Sequence, residues 1–181
     1  MPKYKRKFAA WAVCIALCNP QYAQADDNKE YLVKAAFIYN FIKFIEWPAE
    51  KAIAQQSKID ICTLGETPLS NASKVFAAAS TPQLALSLVQ DNNLHSIPQH
   101  CHVLFISESQ SDRLPSILEA MKGHPVLLVS DMDGFTQAGG MIGFVIDDNK
   151  IKIDVNKREI TSAGMRVDAQ LLEIAHEVID K

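Results

Sequence analysis

Between Tyr31 and Pro48 the chain reads YLVKAAFIYNFIKFIEWP, with apolar residues around most of a helical circumference. Leu32, Val33, Ala35, Ala36, Phe37, Ile38, Phe41, Ile42, Phe44 and Ile45 are interrupted only by Lys34, Asn40, Lys43 and Glu46. A helix with one wet face shows a stripe, so this pattern predicts a helix covered on two sides. The cover is either the rest of the domain or a second chain. Trp47-Pro48 ends the helix, because the residue before a proline is pushed out of the helical region. A membrane span needs roughly 20 largely uncharged residues. The charges of Lys34, Lys43 and Glu46 argue against one here.

The pattern then changes period. Lys58–Leu64 is a β-branched run closed by Gly65 and predicts a strand. Thr67-Pro68 supplies an N-cap followed by proline for a helix reaching Ser80. Leu84, Leu86 and Leu88 alternate with smaller or polar residues, which predicts a strand over Gln83–Val89. After a polar stretch from Asp91 to His100, Val103–Ile106 and Pro125–Val129 are apolar on both faces, as central strands are. Between them a helix carries Leu114, Ile117, Leu118 and Met121 on one face and ends at Gly123. Ser130–Gly140 reads as a loop holding Phe135 among polar and glycine residues. Met141–Asp147 and Lys150–Val155 form a hairpin turning at Asp148-Asn149. Its second strand points Ile151, Ile153 and Val155 inward and Lys152 and Asp154 outward, so it is expected at a wet sheet edge. Asn156, with Glu159 three residues on, caps a short helix that ends at Gly164. Asp168 caps a last helix carrying Leu171, Leu172, Ala175, Val178 and Ile179. The order predicts a single layered α/β/α domain: a mixed sheet of about six strands, a C-terminal antiparallel hairpin and the long apolar helix in front.

The first 25 residues stand apart. Lys3, Lys5, Arg6 and Lys7 precede an apolar run from Phe8 to Cys18, and Ala23-Gln24-Ala25 offers the small residues of a cleavage site. Leu17 is too large for the position before a lipid-modified Cys18. The reading is an export signal cleaved after Ala25, leaving residues 26–181 as one exported domain. The signal carries four basic and no acidic residues, so a formal charge of −3 falls to −7 on its removal. That acidic balance, with no basic run, disfavours nucleic acid and anionic lipid as partners. Of four cysteines, Cys14 and Cys18 leave with the signal; Cys62 and Cys101 remain. In an oxidising compartment the default for such a pair is a disulfide, with two buried thiols as the alternative.

Chemistry-bearing motifs are few. No nucleophile elbow, H-E-x-x-H or phosphate loop occurs. Gly139-Gly140-x-x-Gly143 leads into a strand, where a phosphate site would need a helix N-terminus. Asp131-x-Asp133-Gly134 has too few oxygen ligands for calcium and reads as a turn. On an extended segment His100 and His102 share one face and Cys101 the other, so the three do not close on one ion. A disulfide would also remove the Cys101 sulfur, and no metal or cofactor is expected. Asp147-Asp148 at a hairpin tip is solvated and not poised for acid–base work. The residues by themselves point to binding more than to catalysis.

Five blocks, in order, resemble the YfiR-like family of periplasmic proteins. They are Tyr31–Phe41 through Glu46-Trp47-Pro48, Ile61–Gly65, Cys101–Ser107, Gly139–Val145, and Ile153–Asn156 with Gln170-Leu171-Leu172. The resemblance implies a dimeric regulator, not an enzyme. Such a regulator inhibits an inner-membrane diguanylate cyclase through its periplasmic sensing domain, lowering cyclic-di-GMP output, and is relieved by an outer-membrane lipoprotein that sequesters it. It pairs Cys62 with Cys101. A second family disulfide near the glycine loop has no counterpart, since Thr136 and Gly143 stand there. On this reading Phe37, Phe41, Phe44 and Trp47 supply dimer or partner surface, and Phe135 is a second anchor. The alternative is a small-molecule sensor or carrier, with a pocket at the carboxyl ends of the strands near Gly139 and Gly140.

Overall fold

The computed structural model describes residues 21–180. The basic and apolar parts of the export signal, with Cys14 and Cys18, lie outside them; the expected cleavage point after Ala25 falls within the first helix.

That helix, α1 (Gln21–Phe44), runs into a two-residue strand, β1 (Ile45–Glu46). There follow β2 (Lys58–Leu64), α2 (Ser73–Ala79), β3 (Ala85–Gln90), α3 (Ile97–His100), β4 (Cys101–Ile106), α4 (Leu114–Met121) and β5 (Leu127–Ser130). The chain finishes with β6 (Ile142–Asp147), β7 (Lys150–Asn156), α5 (Lys157–Ser162), β8 (Arg166–Val167), α6 (Ala169–Glu173) and β9 (Glu177–Ile179). Seven strands form one sheet in the order β3-β2-β4-β5-β6-β7-β9, and β1 pairs separately with β8. From β3 to β6 all neighbours are parallel; β7 runs antiparallel to β6, and β9 parallel to β7. The chain leaves β2 for β3 on one side and returns to β4 on the other. The crevice outside the carboxyl ends of β2 and β4 is therefore a topological switch point, where open α/β sheets bind ligands.

Register shows how the layers stack. Phe105, Val129 and Ile142 are cross-strand partners, so with Phe144 they share one face. α1 lies across that face: Tyr31 meets the Phe105 ring edge-on, and Phe37 and Phe41 pack on Phe144. Its buried positions are Lys34, Ala35, Ile38, Phe41 and Ile42, continued by Ile45, a stripe at helical spacing. Within the chain the cover is on one side only; Leu32, Val33 and Ala36 look outward, on the side the pattern leaves to a second chain. The helix also stops at Phe44, because the backbone of Ile45-Glu46 is taken by Val167-Arg166. On the other face of the sheet, Leu128 and Met141 line a space shared with Leu118 and Met121 of α4.

The C-terminal part departs most from the pattern. The turn at Asp148-Asn149 is present, with both residues at positive φ as a tight hairpin requires. The expected last helix ends at Glu173, however, and Glu177–Ile179 becomes β9. It pairs with Asp154–Asn156, so β7 is not an edge strand. Asp154, expected in water, is buried and its Oδ1 lies 2.9 Å from His176 Nδ1. Five residues of α6 and three of β9 share an apolar content that a single helix would also satisfy, which is why the pattern misleads.

The Ser130–Gly140 loop is coiled, not extended. Phe135 N–H donates to the Met132 carbonyl, Ala138 N–H to Gly134 and Gly140 N–H to Phe135. This winding tucks the Phe135 ring under Gly140, where an added Cβ would overlap the ring itself. Gly140→Ala should therefore cost about 1–3 kcal/mol by overpacking. A urea melt measures it, and adding Phe135→Leu should recover part of the loss.

Candidate functional site

At the carboxyl ends of the parallel strands lies a cleft of about 360 Å³. Glu30, Tyr31 and Lys34 come from α1, Pro68 and Glu108 from the segments after β2 and β4, Asp131 and Asp133 from the segment after β5, and Phe144 from β6. The helix brings three of these together through its own spacing, since residues three and four apart share a face. Lys34 falls on the buried stripe of α1, and a buried ammonium requires a partner. It has two: Nζ is 2.6 Å from Glu30 Oε1 and 2.5 Å from Asp131 Oδ2. Tyr31 donates its hydroxyl to the same Oδ2 at 2.7 Å, and Lys34 Nζ stands 4.3 Å from the Tyr31 ring centre.

Burial, reinforced by the hydrogen bond to Asp131, pushes the Tyr31 phenol well above its ordinary range. Tyr31 therefore remains a hydrogen-bond donor at neutral pH. Asp131 spends only one oxygen on these contacts. Its Oδ1 is buried without a partner behind the cleft lining, which leaves the carboxylate short of compensation. With Glu30, Glu108 and Asp133 nearby, the lining carries more negative charge than Lys34 balances.

The structure separates two features that the sequence places together. The loop after β5 begins at this cleft with Asp131, but Gly140 lies back beside the amino end of β5. Gly139 lines a different space of about 400 Å³ between α4, Ala138 and Arg158-Glu159 of α5. A pocket at the strands' carboxyl ends is thus present, but Gly139 and Gly140 do not line it. Lys34, Tyr31 and Asp131 were not expected there. The signal for them is the lysine at stripe spacing, which demands an acid, and Asp131 directly follows a doubly apolar strand.

The proposed surface aromatics are redistributed too. Phe41 and Phe135 are 0% and 1% exposed, in the core. Trp47 is buried with its ring edge toward His102, and Phe37 and Phe44 are half-buried. Phe135 fails as a surface anchor because its loop coils inward. Large apolar side chains that do face solvent include Leu32, Val33, Ile146, Ile174 and Val178. Val33 and Ile146 meet in a shallow depression with Lys29, Lys150 and Ile151.

Cys62 and Cys101 form a disulfide joining β2 to β4. Where they meet, the β2–β4 register shifts between Asp60 and Ile61, so that Asp60 faces Cys101 and Ile61 faces Val103. His102 is the extra residue of this bulge. His100, at the end of α3, instead approaches the sulfurs, with Nε2 3.7 Å from Cys62 Sγ and 3.3 Å from Cys101 Sγ. The two histidines thus part company, for a local reason the extended-strand reading lacks. Burial, followed by the charge of Lys51, holds His102 down at about 4, so its ring is neutral at physiological pH.

The family model described as YfiR/HmsC-like matches residues 31–176. The chain belongs to the YfiR/HmsC-like family. Two solved structures share the fold. One, an ABC domain in complex with L-Trp from Streptococcus pneumonia, is 13% identical over 68% of this chain, with a TM-score of 0.50. The other, a conserved domain protein from Vibrio cholerae O1 biovar El Tor, is 8% identical over 82% of it, with a TM-score of 0.51. This chain spans 55% and 60% of their respective lengths. Among the described residues, no helix is long and apolar enough to cross a membrane.

Proposed function

We propose that this YfiR/HmsC-like protein is exported, loses residues 1–25, and works in the periplasm as a homodimeric binding regulator. It inhibits an inner-membrane diguanylate cyclase by holding the enzyme's periplasmic domain, and an outer-membrane lipoprotein relieves the inhibition by sequestering it. It acts by binding, without catalysis. The observation that carries this reading is the family match along nearly the whole folded chain. An apolar patch is available for the contact, because Val33 is 46% and Ile146 65% exposed beside one another on α1 and the β6–β7 hairpin. Phe37 and Phe44, half-buried further along the same helix, are the two expected aromatic contacts that keep some exposed surface to offer.

The test is crosslinking in the cell's own periplasm with mass spectrometry of the captured proteins. Recovery of an inner-membrane protein with a cytoplasmic diguanylate cyclase domain is expected. The double substitution Val33→Ser/Ile146→Ser should reduce that capture at least about tenfold, with the melting temperature nearly unchanged. Efficient capture of nothing except the protein itself would overturn the regulator reading.

A second reading has its own support in Asp131, which lines the cleft with Glu30, Glu108 and Asp133 against the single cation of Lys34. The cleft suits a small molecule presenting an ammonium or N–H donor, so the protein is a sensor or carrier. A thermal-shift screen of amine-bearing metabolites should then give a hit that Asp131→Asn abolishes. Uniformly flat shifts would remove this reading.

A further inference from the structure

The geometry points to a second state of the Cys62–Cys101 centre: once reduced, the two sulfurs and His100 Nε2 form a three-ligand site for a thiophilic d¹⁰ cation, Zn²⁺. The three ligand atoms lie within 4.8 Å of one another. Zn–S bonds of about 2.3 Å and Zn–N bonds of about 2.0 Å at tetrahedral angles place sulfur and nitrogen roughly 3.5 Å apart. The separations of 3.7 and 3.3 Å from His100 Nε2 to the two sulfurs already bracket that distance. Only the sulfurs must part. Their Cα atoms are 5.8 Å apart across neighbouring strands, so the adjustment is one of side-chain rotation.

The imidazole is prepared for the role. His100 Nδ1 lies 2.9 Å from the Ser96 carbonyl oxygen. A carbonyl only accepts, so Nδ1 carries the proton and Nε2 presents its lone pair to the sulfurs. Metal-bound histidines are oriented in this way by a partner at the other nitrogen. Asp91 Oδ2 stands 3.5 Å from the same Nε2 and adds negative charge on the approach side. Both sulfurs are buried, whereas the His100 side chain is 37% exposed, so the third ligand stands at the surface side of the centre, and three protein ligands leave a fourth position for water.

The step balances as follows. A dithiol donor reduces the S–S bond to two thiols and itself closes to a cyclic disulfide. Zn²⁺ then displaces the two thiol protons to solvent as two Zn–S bonds form. With the disulfide closed, neither sulfur has an anionic pair to offer, so oxidation shuts the site.

The test uses the purified protein, reduced without air by a phosphine, and Co²⁺ as a spectroscopic stand-in for Zn²⁺. One equivalent should produce the thiolate-to-cobalt charge-transfer band and the visible bands of tetrahedral Co²⁺, and Zn²⁺ should bleach both. The oxidised protein should show neither band. His100→Ala, a change at a partly exposed side chain, should weaken binding about tenfold or more. Absence of the bands in reduced wild-type protein would overturn the site, and unchanged affinity in His100→Ala would overturn its ligand set. Equal binding by the oxidised protein would overturn the redox gate.

Discussion

Lys34→Met is expected to lower stability by about 3–5 kcal/mol, as breaking a buried ion pair does. For a domain of this size that corresponds to a fall in melting temperature on the order of 10 °C. The methionine keeps most of the aliphatic stem, so packing on α1 changes little. What changes is Asp131, whose side chain is 11% exposed against 5% for Lys34. It would keep the Tyr31 hydroxyl, but lose the cation that compensates its burial. Pairing the change with Asp131→Asn should recover more than half of the loss, because a neutral amide still accepts from Tyr31. Tyr31→Phe alone should cost only about 1 kcal/mol. If Lys34→Met costs under about 1 kcal/mol, the ion pair behaves as a solvated surface contact. The carboxyl-end cleft then loses its claim to a built polar wall, and the sensor reading weakens with it.

Much of the scaffold is legible in the residues because single physical rules decide it. The doubly apolar runs Val103–Ile106 and Leu127–Val129 have no choice but the middle of a covered sheet. Asp148-Asn149 turns because two positive-φ positions suit those side chains, and the Asn156 side chain accepts from Glu159 N–H. Where two rules compete, the pattern fails. The stretch from Leu171 to Ile179 satisfies helical spacing, yet β7 offers an open edge, and its hydrogen bonds capture Glu177–Ile179. Phe135 looks like an exposed anchor only while its loop is imagined extended; the absence of a side chain at Gly140 lets the chain coil over the ring. Site residues are legible only in pairs. Lys34 looks like an interruption of an apolar helix until Asp131, nearly a hundred residues later, is brought beside it by the β5 carboxyl end. His100 and Cys101 are chain neighbours, but only the β2–β4 pairing brings Cys62 to both.

Reducing the disulfide is expected to cost about 4 kcal/mol, the chain-entropy value for a loop of this length, which here is a sequence separation of 39. The loss arises in the unfolded chain, which regains the freedom of the segment from α2 through α3. The folded sheet should hardly notice: Ile61 to Leu64 remain paired with Val103 to Ile106 by backbone hydrogen bonds, and both sulfurs stay packed. Thermal melts of oxidised and reduced protein should therefore differ by on the order of 10 °C, with far-ultraviolet circular dichroism unchanged below the transitions. A difference near zero would mean that residual structure already holds the loop closed in the unfolded state. Zinc turns the same measurement into a check on the reduced centre. At a hundredfold excess over its dissociation constant a ligand stabilises by about 2.7 kcal/mol. Added Zn²⁺ should thus restore more than half of what reduction removes, and should leave the oxidised protein where it was. In the His100→Ala protein, reduction should cost the same while zinc at the same concentration restores only about half as much, ~1.4 kcal/mol for a tenfold weaker site, because loop entropy depends on the two cysteines and metal capture draws on the third ligand.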